Sequence, residues 1–480
     1  MSWIKWMGAA GLVLAVATSA ACSATSDEVQ GFAAADRPEL RWAQAVGDVD
    51  ADADEIDGIS VDPDGNTLIT GVFRNRLVLG DKRMHSRGAG DIFLASIDPD
   101  GRYRWVRRFG GTGDDNAYDL TTDARGNLYV SGWFSGEVDF GGTVLTSAGS
   151  FDQFIAKYDP SGELIWARSF GGPKGDGGNE IAVLADGRIA VSAISEGDFA
   201  IDGHTYRFGG GRRDSFAIRM TPDGEVLWVV QAGGSGTERI RAINIAPAGD
   251  VYVGFEFRGR LDFGTSRIES RGGWDGALAR LTPEGRVAWV KRIAGPGRED
   301  VRGVAVAPDG SVYVSGGFGR GAVIAGHNIP KLGAGGDDFL LKLTPDGQPL
   351  WLVTVAGRGP NNNGPEIVAD AGGVVASGLL YGPVRVRRNR DVVATLAPPG
   401  GRPTSYLAAF DPTGMPRFVY TPSPRGTGAG AFGDVLSLSR DGKYLAQAIR
   451  FRRSIVIGDT VLTTPSHKDS AVIFFRLRSR

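Results

Sequence analysis

Cysteine is almost absent from this chain of 480 residues, in which Cys22 is the single example. One cysteine excludes a disulfide within the chain, so non-covalent packing must stabilise the fold. The four histidines, His85, His204, His327 and His467, have spacings that suit no single metal site. Beyond the N-terminus no apolar run approaches the roughly 18 residues that span a bilayer. The net charge of −2 argues against a general nucleic-acid binder.

Glycine, in contrast, is abundant, with 73 residues. This is roughly twice its usual share and is typical of many short strands joined by tight turns. Tryptophan recurs at intervals of 61 to 63 residues, and a phenylalanine follows after 67: Trp42, Trp105, Trp166, Trp228, Trp289, Trp351 and Phe418. A fixed period of this length predicts one supersecondary unit copied seven times, with each copy packed on its neighbours.

The second copy shows the unit most clearly. Alternating β-branched and aromatic residues predict four strands, at 117–122, 127–132, 154–158 and 164–167. Asp-x-x-Gly turns at 123–126 and 159–162 join them in pairs, and a longer excursion separates the second strand from the third. Four antiparallel strands per unit indicate a propeller blade.

The motifs of this unit also carry a family resemblance. The order is Gly-Gly, an acid, an apolar strand, Asp-Pro-Asp-Gly-Asn, Tyr-Val-x-Gly, then Asp-x-Phe-x-x-Lys-x-Asp-Pro-x-Gly. It resembles the bacterial β-propeller repeat known as SBBP over essentially residues 39–480. Copies one, two, four and five match best, copy three lacks the first Asp-Pro, and copies six and seven diverge. The resemblance implies a propeller on exported proteins and implies no activity.

The two ends of the repeat region predict how the ring closes. The region opens on a Trp strand at 40–46 and finishes on a third strand at 471–477. Together these two strands would complete one blade and leave no broken edge. We therefore expect an all-β, seven-bladed propeller of four-stranded antiparallel blades over residues 39–480.

The N-terminus predicts export. Residues 1–21 have a basic residue (Lys5), an apolar stretch (8–17) and small residues before Cys22, as a signal peptide does. Cys22 resembles the acylated cysteine of bacterial lipoproteins, although Ser19 replaces the usual Leu. The alternative is ordinary cleavage after Ala21, which leaves a free thiol. Residues 22–38 then form a lipidated cysteine and a flexible tether. We expect a monomer anchored outside the cytoplasm, on an outer membrane or cell surface.

Two columns of carboxylates recur in the copies. The first precedes the inner strand and holds Asp54, Asp115, Asp176, Glu238, Glu299 and then Asn361. The second opens the third strand and holds Asp91, Asp152, Asp214, Asp275, Asp337 and Asp469, with Thr404 in copy six. A ring of carboxylates could bind a cation, but we favour a structural role in which each accepts N–H bonds from its own loop.

Other motifs lead to no site. Asp48, Asp50, Asp52 and Asp54 fail the EF-hand pattern, because Glu55 and Val61 stand where it needs Gly and Glu. The segment Gly428-x-Gly430-x-x-Gly433 precedes a strand rather than a helix. We find no catalytic constellation and expect no metal and no cofactor.

Arginines after the second strand break the repeat symmetry in copies four to seven and copy one. The predicted ligand-binding residues are Arg74, Arg76, Arg258, Arg260, Arg320, Arg385, Arg387, Arg452 and Arg453, with Arg388, Arg390 and Arg450 nearby. Copies two and three carry acids instead: Glu137, Asp139, Glu196 and Asp198. The two sets predict a basic arc opposite an acidic arc, and Arg forks suit carboxylate, sulfate or phosphate. The alternative is that these charged residues are ordinary solvated loop residues that bind no ligand.

The sequence leaves three candidate functions open. The first is a non-enzymatic lipoprotein that binds a protein or an acidic polysaccharide through the face bearing the long excursions, the long-loop face. The second is a scaffold subunit of an envelope assembly complex. The third is a polysaccharide lyase or hydrolase, which would need acid and base groups converging in one pocket.

Overall fold

The computed structural model describes residues 38–47, 54–324, 326–329, 337–357, 364–464 and 469–477. The predicted signal peptide, Cys22 and the tether lie outside these residues. The described chain is almost entirely β-structure, with one 3₁₀ turn at Pro399–Gly401. None of its helices is long and apolar enough to cross a membrane.

The strands follow the chain in repeating groups. The first copies contain β1 Glu39–Val46, β2 Glu55–Val61, β3 Thr67–Phe73, β4 Arg76–Leu79, β5 Lys82–His85, β6 Asp91–Ile97, β7 Tyr103–Phe109, β8 Asp115–Thr122, β9 Leu128–Phe134, β10 Glu137–Asp139, β11 Val144–Thr146, β12 Asp152–Tyr158 and β13 Leu164–Phe170. The middle copies contain β14 Asp176–Val183, β15 Ile189–Ser195, β16 Phe199–Ile201, β17 His204–Tyr206, β18 Asp214–Met220, β19 Val226–Gly233, β20 Thr237–Ile245, β21 Val251–Arg258, β22 Arg260–Phe263, β23 Ser266–Glu269, β24 Asp275–Leu281 and β25 Val287–Ile293.

The last copies contain β26 Gly303–Val306, β27 Val312–Phe318, β28 Val323–Ile324, β29 His327–Asn328, β30 Asp337–Leu343, β31 Pro349–Gly357, β32 Glu366–Asp370, β33 Gly373–Leu380, β34 Val384–Arg388, β35 Asp391–Leu396, β36 Thr404–Phe410, β37 Pro416–Tyr420, β38 Ser423–Leu438, β39 Tyr444–Ile457, β40 Thr460–Thr463 and β41 Asp469–Arg476. The Gly428-x-Gly430-x-x-Gly433 segment lies inside β38, as expected for a chance match.

The sheets are antiparallel, as in a propeller, but they are not uniform. Within the described residues, five sheets keep a four-strand order: β2-β3-β6-β7, β8-β9-β12-β13, β20-β21-β24-β25, β32-β33-β36-β37 and β38-β39-β41-β1, the last with β40 beside β39. Two sheets have six strands, β14-β15-β18-β19-β22-β23 and β26-β27-β30-β31-β34-β35. The prediction of seven four-stranded blades is therefore wrong, because the structure has five of that kind.

The extra strands come from the excursion of the following copy. The hairpin β22–β23 pairs with the outer strand β19 through Ala232 and Gly233, and β34–β35 pairs with β31 over Val353–Gly357. These outer strands have eight and nine residues, whereas β7, β13 and β25 have seven. A longer outer strand leaves unpaired backbone groups that the neighbouring hairpin can satisfy.

The two ends of the described chain meet in one sheet. Strand β1 pairs antiparallel with β41, in a register that runs from Glu39 opposite Arg476 to Val46 opposite Ser470. The bounds differ by one or two residues from the predicted 40–46 and 471–477. Trp42 stacks on Phe474 with ring centroids 5.2 Å apart, so the pairing also buries aromatic surface.

The core is a series of apolar layers between neighbouring sheets. Val46, Ala446 and Phe474 of the closing sheet pack with Ile69 and Phe93 of the next. The excursion hairpins extend these layers, because alternate residues of each point inward: Leu77 and Leu79, Val138 and Phe140, Phe199 and Ile201, Leu261 and Phe263, Val384 and Val386, and Ile455 and Ile457. Much of the excursion thus packs between copies.

Five of the periodic tryptophans join their outer strands to the next copy. The Nε1–H of Trp42 donates to the carbonyl of Pro99 at 3.2 Å, and the same bond joins Trp105 to Pro160 at 3.0 Å. It recurs at Trp166, Trp228 and Trp351, which bond Pro222, Pro283 and Pro412. The Trp column is therefore confirmed as packing between copies, and its partner is the turn of the next copy, which has the pattern Asp/Thr-Pro-x-Gly.

Candidate functional site

The inner strands surround a channel on the propeller axis. In chain order β2, β8, β14, β20, β26, β32 and β38 lie side by side, and β38 lies against β2. The ladders of β2, β8 and β20 skip one residue at Asp57, Tyr118 and Arg241. A bulge of this kind re-aims a side chain. The bulges therefore place polar residues toward the axis instead of leaving a regular in–out alternation.

The charged residues on the axis come from five inner segments: Asp119, Glu180, Arg241, Arg302 and Glu366. Burial raises the pKa of Glu180 well above its usual value, and the charges of Asp119 and Glu366 add to this. The positive charges of Arg241 and Arg302 lower the pKa of Glu180. We call these five residues the axial cluster.

Asp119 is held firmly within the axial cluster. Its carboxylate accepts the N–H of Leu120 at 2.7 Å and that of Ile181, on the neighbouring inner strand, at 2.9 Å. Burial raises the pKa of Asp119 to about 7, although these two bonds lower it. Near neutral pH this carboxyl group is thus poised to hold or release a proton.

Copy seven contributes an arginine to the same interior. Arg450, on β39, pairs with Asp57 at 2.9 Å and with Glu55 at 3.3 Å, both on β2. The sequence grouped Arg450 with the outward basic arc, but these contacts turn it toward the inner strands. Its charge is therefore already paired inside the fold.

One arginine spans the channel on the face formed by the Asp-x-x-Gly turns, the turn face. Arg440 lies in the turn after β38, and its Nη2 donates to the carbonyls of Thr122 at 2.5 Å and Val183 at 3.0 Å. Those carbonyls end β8 and β14, two and three copies away around the ring. Arg440 therefore crosses the channel mouth, and a ligand would enter from the long-loop face.

The first carboxylate column has the structural contacts that we favoured. Asp115 accepts the N–H of Gly111 at 2.9 Å, Asp176 that of Gly172 at 2.6 Å, and Glu299 that of Gly319 at 3.2 Å. Burial raises the pKa of Asp115 and Asp176 to about 6, of Glu299 to about 7 and of Glu238 to about 8. Asp115 and Asp176 thus each hold a backbone N–H of their own glycine-rich loop.

The second column acts in the same way at the start of the third strand. Asp91 accepts N–H bonds from Arg87 and Gly88, Asp152 accepts one from Ala148, and Asp275 accepts one from Arg271. Among the described residues no group of three or more Asp, Glu, His or Cys is placed to hold a metal ion. Asp48, Asp50, Asp52 and His467 lie outside the described residues.

The predicted ligand-binding arginines occupy two kinds of position. The first kind comes directly after a phenylalanine of the second strand, as Arg74, Arg258 and Arg452 do after Phe73, Phe257 and Phe451. Arg453 follows Arg452, and Arg320 stands two residues after Phe318; all five arginines are exposed on the long-loop side. Arg76, Arg260, Arg385, Arg387 and Arg388 lie in the excursion hairpins, and Arg390 lies in the turn between β34 and β35. Where these hairpins extend six-stranded sheets, they lie at the outer edge of the propeller.

Several charges of the two predicted arcs are compensated locally. Arg260 pairs with Asp262 at 2.9 Å, and Arg74 lies 3.7 Å from Asp114. On the acidic side, Glu196 pairs with Arg213 and Asp198 with Arg207, both at 2.6 Å. The contrast in charge between the arcs is therefore smaller than the sequence alone indicates, and ligand binding by the basic arc remains a prediction.

Sequence reasoning missed Arg440 and the axial cluster. Arg440 stands where the turns of copies one and two have Pro63 and Ala124, so a departure from the repeat was its visible signal. The axial cluster had no such signal, because the bulges decide which residues face the axis.

Comparisons with known proteins support the repeat and leave the activity open. The family model of the SBBP beta-propeller repeat matches residues 104–133. The regulatory protein FlaEY of Caulobacter vibrioides is 30% identical over 171 residues, which are 34% of this chain and 18% of that protein. An uncharacterized WD repeat-containing protein, L264 of Acanthamoeba polyphaga mimivirus, is 27% identical over 126 residues, 23% of this chain and 9% of its own length.

The chain therefore spans less than a fifth of the length of these curated relatives. Among solved structures, a mutant of the Synechocystis apocarotenoid oxygenase aligns with 93% of this chain and 95% of its own, at 11% identity and a TM-score of 0.38. A structural similarity at that level does not indicate a function for this chain.

Proposed function

We propose that this chain is a non-enzymatic propeller, held outside the cytoplasm by a lipid on Cys22, that binds a protein or an anionic glycan through its long-loop face. The observation that supports this best is the set of exposed arginines on that face. Arg258 and Arg320 are exposed and make no ion pair with any described residue, and Arg452 is exposed beside the ring of Phe432, 5.7 Å away. Exposed guanidinium groups without an ion pair are available donors for carboxylate or sulfate.

Two further observations favour the same face. Arg440 crosses the channel on the turn face, so the long-loop face offers the open approach. The similarity of about a third of the chain to a protein named regulatory fits a role in binding rather than in chemistry.

The binding test uses the purified propeller with polygalacturonate, dextran sulfate and neutral dextran. We expect binding to the two acidic polymers that weakens steeply as salt rises, since exposed charges are screened. Replacing Arg258, Arg320 and Arg452 by Gln should weaken it, whereas replacing Glu137 and Asp139 by Gln and Asn should not. If acidic polymers fail to bind while an envelope protein co-purifies at a stoichiometric ratio after mild detergent extraction, the scaffold role replaces the glycan role.

The anchor is tested separately. Cys22→Ser removes the acylation site, so the protein should move from the membrane fraction to the soluble fraction. A folded Cys22→Ser variant that still needs detergent for extraction would reject lipidation as the tether.

One observation favours an enzyme as the second candidate. Asp119 and Glu180 lie together on the axis with raised pKa values, and carboxyl groups of that kind serve as general acids in polysaccharide cleavage. If the propeller releases new reducing ends or unsaturated sugars from an acidic polysaccharide, Asp119→Asn or Glu180→Gln should abolish the release. Absence of products with bound polysaccharide would support the non-enzymatic role.

A further inference from the structure

The channel mouth carries a second basic group in copies four and five, distinct from the predicted arc. The guanidinium carbons of Arg239 and Arg298 lie 5.8 and 6.0 Å from the ring centroid of Trp274. Arg239 lies on β20, Trp274 directly precedes β24, and Arg298 lies between β25 and β26. Three separate segments thus converge, and the indole holds two guanidinium groups near one another.

The charge in this group is not balanced. Glu256, on β21, has a side chain only 1% exposed and pairs with Arg241 at 2.9 Å and with Arg298. Burial raises the pKa of Glu256, but the arginines outweigh burial and hold it below its usual value. One carboxylate is therefore shared by two arginines.

Arg239 is left without a partner of this kind. Its Nε–H is buried and donates to no hydrogen-bond acceptor among the described residues. The charges that face it are Arg212, Arg213 and Arg241 on the positive side and Glu256 on the negative side. Arg213 is already bound to Glu196 at 2.6 Å. A half-buried guanidinium among like charges is costly, and an oxyanion would satisfy it.

The group also breaks the repeat at each position. Where copy four has Trp274, copies one, two and three have Gly90, Phe151 and Arg213. Where it has Glu256, strand register places Val72 in copy one and Ile194 in copy three. A scaffold role would recur from copy to copy, so these departures point to a site of this chain's own.

We propose that Arg239, Arg298 and Trp274 form a binding site for the carboxylate or sulfate of an acidic glycan at the long-loop mouth of the channel. The oxyanion accepts from Arg239 and Arg298, and Trp274 fixes the two guanidinium groups in place. This site rests on the proposed function and makes it more specific. One end of the glycan chain would bind at the channel mouth, and the exposed arginines would contact the rest of the chain.

The test uses a short acidic sugar, because such a probe can occupy the site without the rest of a glycan chain. Digalacturonate should bind the wild-type propeller, and Arg239→Gln should weaken that binding about tenfold or more, as loss of a charged hydrogen bond does. The matched control is Arg125→Gln, an exposed arginine in the turn between β8 and β9 on the turn face, which should bind digalacturonate within about twofold of wild type.

Folding is checked independently. Arg239 makes no ion pair with a described residue and loses only its contact with the Trp274 ring, so Arg239→Gln should keep the wild-type circular dichroism and melting temperature. Trp274→Phe gives a second variant that keeps an aromatic ring. The site is overturned if digalacturonate binds wild type and Arg239→Gln equally, or if a short poly-glutamate peptide competes better than any acidic sugar. If neither digalacturonate nor any acidic polymer binds wild type, the glycan function itself fails and the site fails with it.

Discussion

The turn face and the long-loop face of this propeller are built on different principles. On the turn face one arrangement recurs, in which a Trp Nε1–H donates to a Pro carbonyl of the next copy at 2.9 to 3.2 Å. Its aspartates recur as well: Asp123 accepts N–H bonds from Arg125 and Asn127, as Asp159 does from Ser161 and Glu163. On the long-loop face the two carboxylate columns recur, but the charged side chains that follow the second strand differ from copy to copy. Recurrence therefore marks the scaffold, and departure from it marks candidate sites.

The largest effect is expected where the scaffold closes. Deleting residues 39–47 removes β1 and Trp42 and exposes the edge of β41, and loss of the Trp42 side chain alone costs roughly 3–5 kcal/mol. Deleting residues 23–38 is the control and should leave the melting temperature almost unchanged. Equal melting temperatures for the two deletions would show that the β1–β41 pairing contributes little.

A smaller effect is expected from the buried carboxylates at the long-loop end of the inner strands. Burial raises the pKa of Glu238 to about 8, of Glu299 to about 7, and of Asp115 and Asp176 to about 6. In the unfolded chain such groups titrate near pH 4. Between these values the folded state binds more protons than the unfolded state, so stability decreases as pH rises.

Thermal melts from pH 5 to pH 8 measure this directly, and the melting temperature should fall across the range. Glu238→Gln should flatten the upper part of the slope, since that group no longer titrates. A melting temperature that rises from pH 5 to pH 8, or a slope unaltered by Glu238→Gln, contradicts the expectation.

The recurrent bond of the turn face allows a finer comparison. Trp228 donates its Nε1–H to Pro283, whereas the Nε1 of Trp289 has no hydrogen-bond partner within the described chain. There Tyr252 and Arg280 occupy the Pro345 carbonyl instead. Trp228→Phe should therefore cost about 1 kcal/mol more than Trp289→Phe, the worth of one hydrogen bond. Urea denaturation of the two variants compares them, and equal losses would assign the Trp column to apolar packing alone.

The smallest effect is expected on the exposed part of the long-loop face. Arg258→Gln and Arg320→Gln together should change the free energy of unfolding by less than about 0.5 kcal/mol, because both side chains are exposed and unpaired with described residues. Thermal melts of the double variant and the wild type are the measurement. A large loss of stability would mean that these residues belong to the scaffold.

The same distinction explains what the sequence could predict. The tryptophan period and the turns predicted the propeller and the Trp packing, because both recur and depend on local sequence. The unmatched first and last strands of the repeat region predicted the pairing of β1 with β41. The six-stranded sheets were not predictable from local patterns, since β19 and β31 exceed their counterparts by only one or two residues.

The site residues also divide into those that the sequence could predict and those that it could not. The basic arc was visible as a charge pattern, but the pairing of Arg450 with Asp57 depends on the approach of β39 to β2 around the closed ring. The axial residues Asp119 and Glu180 depend on bulges in the inner strands. Trp274 was visible as a tryptophan outside the 62-residue period, although its arginine partners are set by three different segments.

The pairing of β1 with β41 also sets the order in which the molecule can fold. Glu39 lies opposite Arg476, so the first strand made has no partner until almost the last strand is made. The entropy of closing so long a loop grows only slowly with its length, which keeps the closed ring thermodynamically accessible. The effect of this pairing on folding kinetics is larger, because non-local pairing slows folding and leaves a strand edge open to other chains. Synthesis from the N-terminus therefore leaves β1 without its partner until β41 is made, and the chain is open to aggregation during that interval.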